Sequence, residues 1–468
     1  MSNTKEILAK SLELVDIDKG WESVGVGFKE VNGQPTGEKC VTLLVTEKKA
    51  LSALSPEEIF PSTININGED IKTDVVVEEE CFMHVSECFT DPTVEPILGH
   101  RATVRPIQGG ISASSIPPDG FGGGWISVCT FGGIAVDKED NTIVGITNNH
   151  CMGNLINPTD TGGNDPYYEN SYGKKYYSPD NATLTFSDVT TYTSGIGLPV
   201  YQRSSADENS DSKSTLEPLT IGMFKRSKPW FYDYSGGVYN KVDCAILSLS
   251  ARHLPSDDAI FDADESYKQL NLDNSTAMSW ATEEEISSLL DDDNITDGCG
   301  WPVFKGGRTT GPVGWPGSDP YGSDSCTLSA YFIGTANVSM GGNQGRIYYQ
   351  NQIRYRGNTD PSQGGDSGAF VCALFDSGTA SEEWKIIGHH WVGSGASSTS
   401  PNSVGLASRI SDVASELNLE AYTGQTSSLT STKTNKIVQG YQNDDTLVID
   451  GKTYYSVGIT SEDPNYTP

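Results

Sequence analysis

Long apolar runs are missing from this 468-residue chain. None approaches the roughly 20 residues that a bilayer-crossing helix needs. Basic residues are scarce, with 31 Lys and Arg against 62 Asp and Glu and a formal net charge of −31. Such a surface repels nucleic acid and anionic membranes and favours solubility, so neither is expected as a partner. Cysteine is sparse. Nine residues (Cys40, Cys81, Cys88, Cys129, Cys151, Cys244, Cys299, Cys326 and Cys372) make an odd number that does not read as a disulfide scaffold. No C-x-x-C or H-E-x-x-H spacing occurs, so a structural or catalytic zinc has no support; no metal or organic cofactor is expected. The first fifteen residues, MSNTKEILAKSLELV, lack the apolar core and small-residue cleavage site of a secretory signal. The expected location is the cytoplasm, with release by a signal-independent route as the alternative.

Leucine-rich helical segments are also few. What is abundant is glycine (50 residues) and tyrosine (21), with much Ser, Thr and Asn, the composition of short strands joined by turns. The length suggests several units. Residues 1–104 read as a small α+β accessory domain, open to a protein partner. It has strands over Val24–Val31, Cys40–Thr46 and Ile71–Val77, turns at Asn32-Gly33 and Asn67-Gly68, and a helix start at Ser55-Pro56-Glu57-Glu58. Residues 105–422 carry strand candidates at Ile126–Phe131, Thr142–Thr147, Asp243–Leu249, Thr327–Val338, Arg346–Tyr355, Ala369–Leu374 and Trp384–His390. Two helices are expected there: one opened by a capping box at Thr282–Glu285, the other over Ile410–Leu417. A polar insertion at 153–215 reads as surface loops. Residues 423–433 have linker composition, and 434–468 carry a hairpin around Asp450-Gly451. No internal repeat is evident.

Three short stretches carry chemistry. Gly365-Asp366-Ser367-Gly368 can turn the N–H groups of Gly365 and Ser367 into one small space beside the Ser367 hydroxyl, which is what an oxyanion hole requires. Ile146-Thr147-Asn148-Asn149-His150-Cys151 is a strand that ends in a histidine, and Val242-Asp243-Cys244-Ala245-Ile246-Leu247 is an acid leading an apolar strand. Each alone has an ordinary structural reading as a turn, a structural histidine or a strand cap. Together they place His, Asp and Ser in an order that a nucleophilic triad can use.

These stretches resemble the chymotrypsin/trypsin-like serine peptidase family. Thr147-Asn148-Asn149-His150-Cys151 is similar to its T-A-x-H-C, Asp243-Cys244-Ala245-Ile246-Leu247 to its D-I-A-L-L, and Gly365–Gly368 to its nucleophile loop. Trp384–Gly393 resembles the G-I-x-S-W-G strand that borders the substrate. The resemblance implies an all-β fold of two six-stranded antiparallel barrels over 105–422. It also implies a polypeptide substrate, Ser367 as nucleophile, His150 as general base and Asp243 as its orienting carboxylate. The same likeness would pair Cys129 with Cys151 and, more weakly, Cys299 with Cys372, whereas a chain without a secretory signal is expected to keep all of its cysteines reduced. The sequence departs from the pattern in Asn148-Asn149 before the histidine and in the long gap that 153–215 fills. Gly306-Gly307-Arg308-Thr309-Thr310-Gly311 resembles a turn of leaderless bacterial members, which points to a bacterial or phage origin.

Trypsins carry an Asp six residues before the nucleophile; here Pro361 stands there, against a Lys/Arg preference. His390 and Gly393 in Gly388-His389-His390-Trp391-Val392-Gly393, with Ser362, resemble the pocket of glutamyl endopeptidases, which implies cleavage after Glu or Asp. Two alternatives stay open: a catalytically silent binding, virion or scaffold module, and a zymogen in which a new terminus at Ile107 would pair with Asp366. The expectation is a constitutively formed site, in which Asp366 finds an internal backbone or buried polar partner.

Overall fold

The computed structural model describes residues 3–31, 34–78, 81–82, 109–114, 129–152, 167–169, 175–177, 199–202, 220–228, 239–249, 279–291, 301–314, 328–339, 346–357, 361–375, 383–394, 403–422, 446–449 and 452–455. Over them the chain is mostly β-strand, with short α-helices at Thr4–Leu12, Glu283–Ser288 and Ile410–Glu416. None is long and apolar enough to cross a membrane.

Two sheets frame the site. One is antiparallel throughout, in the order Pro199–Tyr201, Thr220–Ser227, Ala245–Leu249, Thr142–Thr147, Gly133–Asp137, Leu419–Ala421. Its three strands Gly133–Asp137, Thr142–Thr147 and Ala245–Leu249 are buried at every position, as their apolar runs require. Among the described residues its two end strands do not pair with each other.

The second sheet follows the order Gly311–Val313, Trp301–Gly307, Phe370–Phe375, Glu383–Ser394, Val404–Arg409, Arg346–Gly357, Leu328–Ser339. Trp301–Gly307 also pairs with Leu328–Ser339, so six of these strands form a closed ring of pairings. The sheet then continues into the N-terminal residues. Ser23–Val31 lies antiparallel to Leu328–Ser339, with Gly25 opposite Gly334. Beyond it come Gln34–Val45, Glu69–Val77 and Thr63–Ile66. Gly25 and Gly334 permit this approach, since a Cβ on Gly25 would stand 2.3 Å from the Ile333 carbonyl oxygen.

The helix over Thr4–Leu12 was not foreseen in the sequence, although Asn3 and Glu6 form a capping box at its start. It buries Ile7 and Leu8, and the Thr4 N–H and hydroxyl both donate to Asp291. Ser55–Glu58, expected to open a helix, is instead a turn in which Glu58 N–H donates to the Ser55 carbonyl. Pro61 follows within one helical turn and disfavours helical geometry just before it. The capping box at Thr282 is complete, and its helix ends at Ser288. The insertion at 153–215, the linker, Asn32-Gly33 and Ile107 lie wholly or largely outside the described residues. Of the C-terminal segment, Thr446–Ile449 and Lys452–Tyr455 pair as an antiparallel hairpin.

Candidate active site

Register brings the acid to the histidine. Ala245 lies opposite Thr147 in an antiparallel pair, so the residues just before the first and just after the second meet at the same end of the sheet. There Asp243 is fully buried; its Oδ1 accepts from the His150 N–H at 3.1 Å and its Oδ2 contacts His150 Nδ1. The two contacts orient the ring with Nδ1 toward the carboxylate and Nε2 away from it. Asn148 supports the arrangement by donating from Nδ2 to the Asp243 carbonyl at 2.6 Å.

Ser367 enters from the other sheet. Its hydroxyl donates to the Trp391 carbonyl at 3.2 Å, and its own carbonyl accepts from Thr130 N–H at 2.7 Å. The Cys129–Cys151 disulfide closes the gap: Cys151, next to His150, sets its Sγ 3.7 Å from the Ser367 carbonyl oxygen. That sulfur carries no proton, so the approach is a contact and not a hydrogen bond. Among the described residues the N–H groups of Gly365 and Ser367 donate to no protein acceptor, which leaves a pair of donors open beside the hydroxyl. Gly368 has no substitute here. Its φ is +105°, and a Cβ would stand 2.0 Å from the Thr130 carbonyl oxygen.

Solved structures similar to this chain include serine proteases. A glutamic acid specific serine protease, described as using a novel histidine triad in substrate binding, is 14% identical with a TM-score of 0.31, over 68% of this chain and all of that one. A Nocardiopsis protease is 16% identical with a TM-score of 0.31, over 68% and 99%. A Cellulomonas bogoriensis chymotrypsin is 15% identical with a TM-score of 0.29, over 68% and 98%. No family model matches the sequence, and no curated protein does. The functional reading therefore rests on the site's own residues.

The loop that carries Ser367 is held by a buried ion pair. Lys305 Nζ lies 2.6 Å from Asp366 Oδ2, both side chains fully buried. Asp366 also accepts from Thr309 N–H (2.8 Å), Thr310 N–H (3.0 Å) and the Thr310 hydroxyl (2.7 Å). Burial alone would raise this carboxyl. The Lys305 charge and the hydrogen bonds from Lys305 and Thr310 outweigh it and hold Asp366 well below the usual range. Gly307 makes room for the acid, because a Cβ there would sit 2.2 Å from Asp366 Oδ1. The 306–311 run noted in the sequence is thus the cradle of Asp366.

Thr130, which the sequence did not single out, ties the parts together. Its hydroxyl donates to the Gly365 carbonyl (2.8 Å) and accepts from Arg308 N–H (2.9 Å), while its carbonyl accepts from the Thr147 hydroxyl (2.9 Å). Its only sequence signal is its place after Cys129. His389 was also missed as a site residue. It is fully buried, its Nδ1 accepts from Asn148 Nδ2 at 3.2 Å, and burial, followed by the nearby His150, pushes its pKa down to about 3.

Ser362, His390 and Gly393 come together. His390 Nε2 is 2.7 Å from the Ser362 hydroxyl, and Nδ1 is 3.0 Å from the Leu406 carbonyl and 2.8 Å from the Tyr355 hydroxyl. A carbonyl can only accept, so Nδ1 carries a proton and Nε2 faces Ser362. A Cβ on Gly393 would stand 2.9 Å from Ser362 Oγ, so the glycine lines the same space. Cys299 lies outside the described residues, so a bridge from it to the buried Cys372 is untested.

Proposed function

We propose that this protein is a serine endopeptidase, with a chymotrypsin-like double-barrel unit over 105–422 and residues 1–104 as its accessory domain. The contact of Asp243 with His150 Nδ1, beside the glycine-flanked Ser367, carries the reading. Ser367 swings its hydroxyl from the Trp391 carbonyl to His150 Nε2 and attacks a peptide carbonyl. His150 takes the proton and returns it to the leaving amine, and water then hydrolyses the acyl-enzyme through the same base. Asp243 holds the tautomer and stabilises the imidazolium. The N–H groups of Gly365 and Ser367 receive the oxyanion. Because Lys305 and the Thr309–Thr310 turn already satisfy Asp366, the nucleophile loop needs no new amino terminus to form.

The substrate residue before the scissile bond is acidic in this reading. Protonated at Nε2, His390 offers a charged N–H and Ser362 an O–H to one carboxylate, with Nδ1–H still held by Leu406. Cleavage of a peptide library checks this: bonds after Glu or Asp should dominate. His390→Ala should lower kcat/KM on Glu substrates by about 1.5–3 kcal/mol, the range for a hydrogen bond to a charged group, and spare any residual cleavage after neutral residues. Cleavage confined to Lys, Arg or aromatic residues would exclude the pocket.

A further inference from the structure

The long strand Glu383–Ser394 has two edges, and their occupants can be followed residue by residue. Val404–Arg409 runs along one edge from Gly388 to Gly393. On the other, Phe370–Phe375 pairs up to His389, and the nucleophile loop takes His390 through Gly368 N–H to the His390 carbonyl and His390 N–H to the Ala369 carbonyl. The Trp391 carbonyl on this second edge receives the Ser367 hydroxyl. Two residues further on, Gly393 and Ser394 are paired antiparallel by Phe82 and Cys81. Gly393 is already paired to Gly405 on the first edge, so Cys81–Phe82 lies on the second, the edge that runs away from the nucleophile.

We propose that Cys81–Phe82 is a built-in pseudosubstrate strand, which holds the backbone edge that an extended polypeptide substrate must use. This rests on the peptidase reading of the site. A peptide whose carbonyl lies at Ser367 and which extends antiparallel along Trp391–Gly393 meets Phe82 at Gly393, its third position from the scissile bond. The intruding strand is anchored at three points. Phe82 pairs in parallel with Ser339, Cys81 Sγ accepts from Arg354 Nη1 at 3.8 Å, and Glu78, just upstream, forms a buried ion pair with Arg354 and accepts from the Tyr331 hydroxyl. The catalytic groups are therefore formed while access along the edge is restricted. Substrates long enough to need the edge compete with the chain itself, and single-residue ligands do not.

The test uses the full chain carrying Ser367→Ala, so that no peptide is consumed, with and without Phe82→Pro. Proline removes the N–H that an edge pairing requires. N-acetyl-Ala-Ala-Ala-Glu and N-acetyl-Glu are titrated by calorimetry. Phe82→Pro should tighten the tetrapeptide at least tenfold and leave N-acetyl-Glu unchanged, and Phe82→Ala, which keeps the backbone pairing, should change neither. Equal tetrapeptide affinity with and without Phe82→Pro, or no tetrapeptide binding to either chain, overturns the proposal. Should the proline variant fail to fold, hydrogen exchange on the Ser367→Ala chain decides: excess tetrapeptide must accelerate exchange in the Cys81–Phe82 segment, and unchanged exchange overturns the proposal. Failure of the acidic-pocket reading looks different, because N-acetyl-Glu then binds nowhere while the tetrapeptide still gains affinity.

Discussion

His389 shows how much a single buried side chain can commit. It stays neutral beneath the site because burial and the neighbouring His150 push its pKa down to about 3, while an unfolded histidine titrates near 6.5. Between those values the unfolded chain binds a proton that the native state refuses, so stability falls as pH falls through that window. At pH 4.5 the loss from this residue alone is about 2–3 kcal/mol. His389→Gln keeps an acceptor for Asn148 without the titration. Urea unfolding at pH 7.5 and 4.5 should show the variant losing less stability on acidification than the parent; equal losses would contradict the account. The family likeness set His390 beside Ser362 but gave no role or partner to His389. Adjacent strand residues face opposite ways, and only the fold shows that His389 meets Asn148.

At the scale of elements, local patterning was readable where the chemistry is local. The Thr142–Thr147 strand, the Thr282 capping box and the Asn67-Gly68 turn follow from short-range rules. Lys305 and Asp366 are 61 residues apart; the sequence called for an internal backbone or buried polar partner to Asp366 without naming Lys305. The ion pair makes the two loops one unit, and its cost structure is testable. Lys305→Met leaves Asp366 buried without its cation and should destabilise by about 3–5 kcal/mol. Adding Asp366→Asn should recover a large part of the loss, measured by denaturant unfolding of both variants. No recovery would show that the pair does not act as one unit. Ser55–Glu58 marks the opposite failure: a correct helix-start pattern with too little chain before Pro61 to become a helix.

At the scale of the whole molecule, the N-terminal strands extend the second sheet by pairing with Leu328–Ser339. Sequence reading set residues 1–104 apart because their composition gives no sign of which distant strand they join; the Gly25–Gly334 approach is visible only in the pairing. Deleting residues 1–78 would expose the edge of a twelve-residue strand that carries Tyr331, Phe332 and Ile333. Unpaired apolar edges of that length associate. The truncated chain should elute as aggregate from size-exclusion chromatography despite the acidic surface, and a monodisperse monomer would contradict the dependence.

The central claim is that Ser367, activated by His150 and Asp243, is a nucleophile. Incubation of the intact protein with a fluorophosphonate probe, followed by peptide mapping, measures this directly. The account predicts one adduct, on Ser367, absent from Ser367→Ala and slowed by orders of magnitude in His150→Ala. A protein that stays unlabelled, or labels equally well after Ser367→Ala, would contradict it.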